Sequence, residues 1–228
     1  TYVRIAPGVS SGVAPIFVEP NGQNRIIVVK GANDKLTPAD VDAAAPSLRT
    51  VDTIVLQFEI PLETIYHAVK FARDTNIRCI VNPAPAYLAD LAQLTSVDYF
   101  TPNETEAEAI SGVSVHSPDD ARKAASVLLA RGFRRIIITL GEAGALLATP
   151  DSAEMIAPFS VTPVDTTGAG DAFSGSLAAF LGEGLAEREA LGRANLYAAL
   201  STLRIGTQKS YASRAEFDSE WAQRTRSH

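Results

Sequence analysis

Thr53-Ile54-Val55-Leu56-Gln57-Phe58, the helix-spaced set Leu62, Ile65, Tyr66, Val69 and Ala72, and then Ile77-Arg78-Cys79-Ile80-Val81 decide the fold. The first run is apolar with little alternation, which suits a strand covered on both faces. Pro61 opens the middle segment, where a missing N–H costs a helix nothing, and the spacing that follows puts five apolar residues on one side. The last run is a second buried strand. A strand, a helix and a strand in succession build a parallel pair, because the helix is the crossover.

Downstream the pattern repeats. Asn82-Pro83-Ala84-Pro85 is a proline-rich turn, and Val97–Phe100 is a third strand ending in Thr101-Pro102-Asn103. Helices are predicted over Glu104–Ser111 and Pro118–Arg131, and a fourth strand over Arg135–Thr139, stopped by Gly141. Ala145–Ala148 and Met155–Pro158 read as a late antiparallel addition. Further helices are predicted from about Ala172 to Leu181 and Glu187 to Leu203, and the polar tail from Tyr211 suits a last, exposed helix. Upstream, Gly12–Val18 and Arg25–Lys30 are β-rich and flank Glu19–Gln23, whose Asn21-Gly22 pair is a strong hairpin signal. The predicted fold class is α/β: a mostly parallel sheet with helices on both faces, plus a small antiparallel hairpin. The expected division is residues 1–32 for the hairpin and its connection, and 33–228 for the α/β body.

Composition sets limits. The 228 residues are 46% hydrophobic and 20% charged, enough for a full core. A net charge of -6 argues against nucleic-acid and anionic-membrane partners. One cysteine, Cys79, excludes an internal disulfide framework and a cysteine-based zinc site, and its apolar setting points to a packed core thiol. His67, His116 and His228 have no ligand spacing. No apolar run is long enough to span a bilayer, so a cytoplasmic protein is expected.

The chemistry concentrates in Val164-Asp165-Thr166-Thr167-Gly168-Ala169-Gly170-Asp171-Ala172-Phe173. Between Asp165 and Asp171 lie two threonines and three tiny residues. Glycine lets backbone approach a ligand, and the first N–H groups of the helix expected near Asp171 have no helical acceptor. With the helix dipole this makes an anion site. An acid in a first helical turn is by itself a favourable charge; beside an anion hole it is also what phosphoryl transfer to a hydroxyl requires. There is no P-loop motif.

The run resembles the Asp-Thr-x-Gly-Ala-Gly-Asp signature of the ribokinase, or carbohydrate kinase, family. The resemblance makes Asp171 the catalytic base, in contact with the sugar hydroxyl, and Gly168, Ala169 and Gly170 the cradle of the γ-phosphate. Asn82, in Asn82-Pro83-Ala84-Pro85-Ala86, is implied as a nucleotide-phosphate contact, though alone it reads as a turn. Thr139-Leu140-Gly141-Glu142-Ala143-Gly144 is similar to the family's nucleotide loop, though alone it reads as a β-turn. Asn195 matches an adenine contact, although an isolated helical Asn is usually at the surface. Thr101-Pro102-Asn103-Glu104-Thr105-Glu106 carries the family's Asn-x-x-Glu element, implying that Asn103 and Glu106 hold waters around Mg²⁺. Glu104 and Glu108 read as solvated acids. Asp165, Thr167, Ser201, Arg204, Gly206 and Ser210 match a K⁺ site, with Arg204 serving through its carbonyl. Lys209 departs from the proline many relatives carry.

Leu56-Gln57-Phe58-Glu59 resembles the Gln-x-Glu stretch whose glutamate touches the sugar, implicating Glu59. Val13–Val29 resembles part of the family's lid over the sugar, whose uncovered edges suit a second copy. The resemblance runs from about residue 10 to about residue 215. It leaves the family's first strand and sugar loop unmatched, and roughly eighty more residues would supply them. The implied activity is ATP-dependent phosphorylation of D-ribose to ribose 5-phosphate. Deoxyribose, fructose, a nucleoside or a keto-deoxy sugar acid are alternative acceptors, and a nucleotide-binding fragment without catalysis is the alternative class.

Overall fold

The computed structural model describes residues 3–18 and 24–225. β1 (Ile16–Val18) and β2 (Asn24–Ile26) pair antiparallel as a two-stranded sheet of their own. Below them Val13 and Val29 exchange both backbone hydrogen bonds at 2.9 Å. The turn expected at Glu19–Gln23 lies outside the described residues. The pair is antiparallel, as the absence of an intervening helix required, and the hairpin stands apart from the main sheet.

The main sheet has six strands in sequence order: β3 (Thr53–Gln57), β4 (Arg78–Asn82), β5 (Tyr99–Phe100), β6 (Ile136–Thr139), β7 (Ala145–Thr149) and β8 (Ser152–Ile156). β3 to β6 are mutually parallel, and β6–β7 and β7–β8 are antiparallel. The four parallel strands are the four expected. The last strand sits a few residues earlier than Met155–Pro158, because the turn at Thr149–Ser152 is tight.

The sheet is buried on both sides, and β6 shows why the apolar runs lack alternation. Ile136 and Ile138 join one core with Ile65 and Val69 of α2 (Leu62–Thr75) and Leu128 of α4 (Pro118–Ala130). Ile137, between them, joins the opposite core with Phe173 and Leu177 of α5 (Ala169–Gly182) and Leu191 of α6 (Glu187–Ser201). All three isoleucines are fully buried, each contributing about 1.5–3 kcal/mol of apolar transfer. Cys79 is packed in the first core, where burial pushes its thiol up to about 12.

Three helices differ from expectation. α1 (Pro38–Leu48) has no buried residue and an alanine-rich sequence interrupted by Pro46, so it lacks the apolar stripe that periodicity detects. Its start was legible locally: Asp40 accepts from the Thr37 amide at 2.9 Å, with Pro38 at the first position. α5 begins at Ala169 rather than near Ala172. α7 (Arg214–Thr225) is anchored rather than merely exposed: Phe217 is buried against Phe180, with ring centroids 5.1 Å apart. Among the described residues no helix is long and apolar enough to cross a membrane.

Candidate active site

Parallel strands end at a common edge, and in open α/β sheets ligands bind in the crevice beyond it. Asn82 closes β4 and Thr139 closes β6. β8 runs parallel to β6, since two antiparallel pairings separate them, so its end at Ile156 lies at the same edge. Glu59 is exposed in the turn just past β3, and the neighbouring Phe58 amide donates to the Ala84 carbonyl at 2.9 Å. The turns after β3 and β4 are thereby tied together.

Beyond β4 and β5 three predicted residues meet. Asn82 Nδ2 donates to the Thr101 carbonyl at 2.6 Å and approaches Glu106 Oε2 at 3.4 Å. Glu106 lies in α3 (Glu104–Ser111), where it accepts from the Asn103 amide at 2.9 Å while Asn103 Oδ1 accepts from the Glu106 amide at 2.8 Å. This capping box satisfies the first turn of the helix. Burial raises the Glu106 carboxyl despite these hydrogen bonds. Glu104 is not the solvated acid expected: it is half-buried, and desolvation raises its carboxyl too.

Asn103 bridges to Thr139 in parallel, which carries the cluster to the loop Gly141–Gly144. Gly144 (φ 88°) cannot be another residue: a Cβ there would lie 2.3 Å from the Ile156 carbonyl oxygen. Its own carbonyl accepts from Leu140 at 2.8 Å, closing the loop beside the end of β8. Asn195 is buried, not superficial. Its Nδ2 donates to the carbonyls of Ile156 and Ala157 at 3.3 and 3.1 Å, so it pins the chain leaving β8.

The third cluster surrounds the start of α5. Gly168 is the N-cap, at φ 80° in the left-handed region. The Ala169 amide turns back to the Thr166 carbonyl at 3.2 Å, whereas the amides of Gly170 and Asp171 lie in the first turn, with no carbonyl four residues back inside the helix. Asp171 occupies the third helical position. It is exposed on the wall of a cavity of about 330 Å³, yet the surrounding protein withdraws enough water to raise its carboxyl. Asp165 is shifted the other way. Hydrogen bonds from the Gly206 amide and from Thr167 hold it below the usual 3.8.

The members of the expected K⁺ set are distributed unevenly. Asp165, Thr167 and Gly206 are directly joined, both amides lying 2.9 Å from the carboxylate. Ser201 and Ser210 are buried, with hydroxyls donated to the Ala198 and Thr207 carbonyls. The Arg204 guanidinium points away to Glu216 at 3.2 Å, leaving its backbone free of it. Sequence reading passed over Tyr211, whose hydroxyl donates to the Gly168 carbonyl at 3.2 Å from forty-three residues away. Nothing local marks it.

The chain was also compared with known proteins. The sequence model of pfkB family carbohydrate kinases matches residues 1–214. A deoxyribokinase of Salmonella typhi is 45% identical over 219 residues, covering 96% of this chain and 72% of the relative. A ribokinase structure from Thermotoga maritima has a TM-score of 0.85 at 36% identity, covering 96% of this chain and 72% of that one. Arabidopsis thaliana ribokinase, complexed with ribose and ATP, has a TM-score of 0.86 at 25% identity, covering 93% and 69%. With a ribokinase-like sheet, and a family match reaching from the hairpin into the start of α7, this chain belongs to the pfkB family of carbohydrate kinases.

Proposed function

We propose that this sugar kinase transfers the γ-phosphoryl group of ATP to a pentose hydroxyl, with D-ribose giving ribose 5-phosphate and ADP. The observation that carries the reading is the pairing, on one helical turn, of a desolvated carboxylate with amides that have no helical acceptor. Such amides stabilise charge on the transferring phosphoryl group, and the carboxylate takes the proton of the attacking hydroxyl. The bond formed is sugar oxygen to γ-phosphorus; the bond broken joins γ-phosphorus to the oxygen bridging it to ADP.

In this reading Asp171 is the base and the Gly168–Gly170 turn receives the γ-phosphate. Asn82, Thr139–Gly144 and Asn195 shape the nucleotide side, and Glu59 faces the sugar. Asn103 and Glu106, joined in one capping box at the start of α3, suit an ion that keeps its water shell, as Mg²⁺ does. When bound, Mg²⁺ neutralises phosphate charge. The ionised Asp165, beside the Arg204–Ser210 loop and Thr167, fits a monovalent cation such as K⁺, which stiffens the turn before α5 when bound. With ATP as donor, we place the reaction in the cytoplasm.

The Salmonella typhi deoxyribokinase supports a second acceptor, deoxyribose, which differs by one hydroxyl. A coupled ADP-release assay comparing kcat/KM for ribose, deoxyribose, fructose and a nucleoside decides between them. Turnover of neither pentose, with ATP still bound, would leave a nucleotide-binding protein without this chemistry. Val13, Ile27, Val28 and Val29 leave the lid apolar and exposed, which suits a second lid; sedimentation that stays monomeric at all concentrations would refute that pairing.

A further inference from the structure

We propose that Tyr211 is a positioning residue for phosphoryl transfer, holding the peptide plane between Gly168 and Ala169 so that the neighbouring amides face the phosphate. The role rests on the kinase reading above. It is carried by three hydrogen bonds on that one plane. At one end the Ala169 N–H donates to the Thr166 carbonyl at 3.2 Å. At the other the Gly168 carbonyl accepts twice, from the Ala172 amide at 2.9 Å and from the Tyr211 hydroxyl at 3.2 Å. A side chain at Gly168 would crowd the same hydroxyl and Thr207, each 3.1 Å from where a Cβ would stand.

Glycine is what makes such a clamp necessary. At φ 80° Gly168 sits in a region that only glycine enters without strain, but glycine also leaves it easily. Rotation of the plane would reorient the amides on either side of it. The helical bond from Ala172 resists that rotation from the C-terminal side alone. Tyr211 adds a restraint on the carbonyl from outside the helix.

Tyr211 is suited to be a fixed donor. It is half-buried, and its ring centroid lies 6.3 Å from that of Tyr197. Burial, with the negative charge of Asp171 added, keeps the phenol protonated and able to donate. Tyr211 and Asp171 both line the cavity along α5. The base and the clamp thus flank the same turn.

The test uses Tyr211→Phe in the full chain, which removes one oxygen and keeps the ring. Expected is a fall in kcat of about ten- to hundredfold, the scale of a small misplacement of reacting groups, with the KM for ATP and sugar within about twofold. Tyr197→Phe loses a comparable hydrogen bond, from its hydroxyl to the Ala212 carbonyl at 2.9 Å, which does not touch Gly168, and is expected to keep kcat. Amide hydrogen exchange at Ala172, measured in parallel, is expected to speed up in Tyr211→Phe only. An unchanged kcat in Tyr211→Phe, with the parent chain active, overturns the proposal and leaves the kinase reading standing. An equal loss in Tyr197→Phe overturns it in favour of general loop stability. If the parent chain turns over no sugar the kinase reading falls, and exchange at Ala172 then decides: faster exchange supports the clamp, unchanged exchange overturns it.

Discussion

The Gly206 amide donates to Asp165 Oδ2 at 2.9 Å, joining the loop after α6 to the turn before α5 across forty-one residues. The other carboxylate oxygen holds the Thr167 amide. One side chain therefore sets the spacing between two loops that both border the start of α5. Its low folded pKa means that its contribution to stability is present above the unfolded value near 3.8 and is lost as pH falls through the lower folded value. Near neutrality Asp165 is a permanent anion. Asp165→Asn should raise the K⁺ concentration for half-maximal rate by about an order of magnitude and erase discrimination against Na⁺. Initial rates across matched-ionic-strength K⁺ and Na⁺ series check this; an unchanged K⁺ curve would refute it.

Asp171 should behave oppositely. Its carboxyl is raised by desolvation, so the ionised form is disfavoured in the fold, and stability from this group declines as pH rises through the folded value. Asp171→Asn is expected to lower turnover by about 10²–10⁴-fold while leaving ATP affinity within about twofold. At neutral pH its thermal midpoint should equal or exceed that of the parent. The parent's kcat/KM should fall on the acid side through a pKa above 3.8. Single-turnover rates, calorimetric ATP titration and thermal melts test the three statements; near-normal turnover in Asp171→Asn would sink the assignment.

Gly144→Ala places a methyl group 2.3 Å from the Ile156 carbonyl oxygen and 2.9 Å from Pro158 N, at a φ that alanine avoids. Neither obstacle is a flexible side-chain end, so the backbone must move. The expected loss is about 1–3 kcal/mol of stability, with weaker ATP binding because the 141–144 loop shifts. Urea unfolding gives the first quantity and calorimetry the second. Gly170→Ala is the control, since a Cβ there meets nothing within 4 Å; wild-type-like stability is expected for it.

Glu106→Ala removes the acceptor for the Asn103 amide and side chain and for Asn82. Leaving the part-buried Asn103 donors unpaired should cost about 1–3 kcal/mol in urea unfolding. Glu106→Gln keeps an acceptor oxygen but no charge. It should recover most of the stability while still raising the Mg²⁺ concentration needed for half-maximal rate. If Gln restores the Mg²⁺ requirement as well, the carboxylate serves α3 alone.

What the sequence determined by itself is local in character. Thr53–Phe58, Ile77–Val81 and Arg135–Thr139 were legible as buried strands because burial on both faces demands an apolar residue at nearly every position. α3 was legible to the residue because Asn103 and Glu106 cap its start and Gly112 at φ 80° ends it. The run Asp165–Asp171 was legible as a glycine turn entering a helix, because turn and helix start lie in one segment. α1 was not, since an element that buries no residue leaves no apolar period to read. Only the tertiary structure decided that Asn195 is buried against the end of β8, that Glu104 is half-desolvated, and that Tyr211 rests on Gly168. Each depends on a partner at least thirty-five residues away or on the packing of several elements at once. Hydrogen bonds and desolvation across such distances are set by how helices and loops pack on the sheet, and that packing leaves no trace in the neighbouring residues.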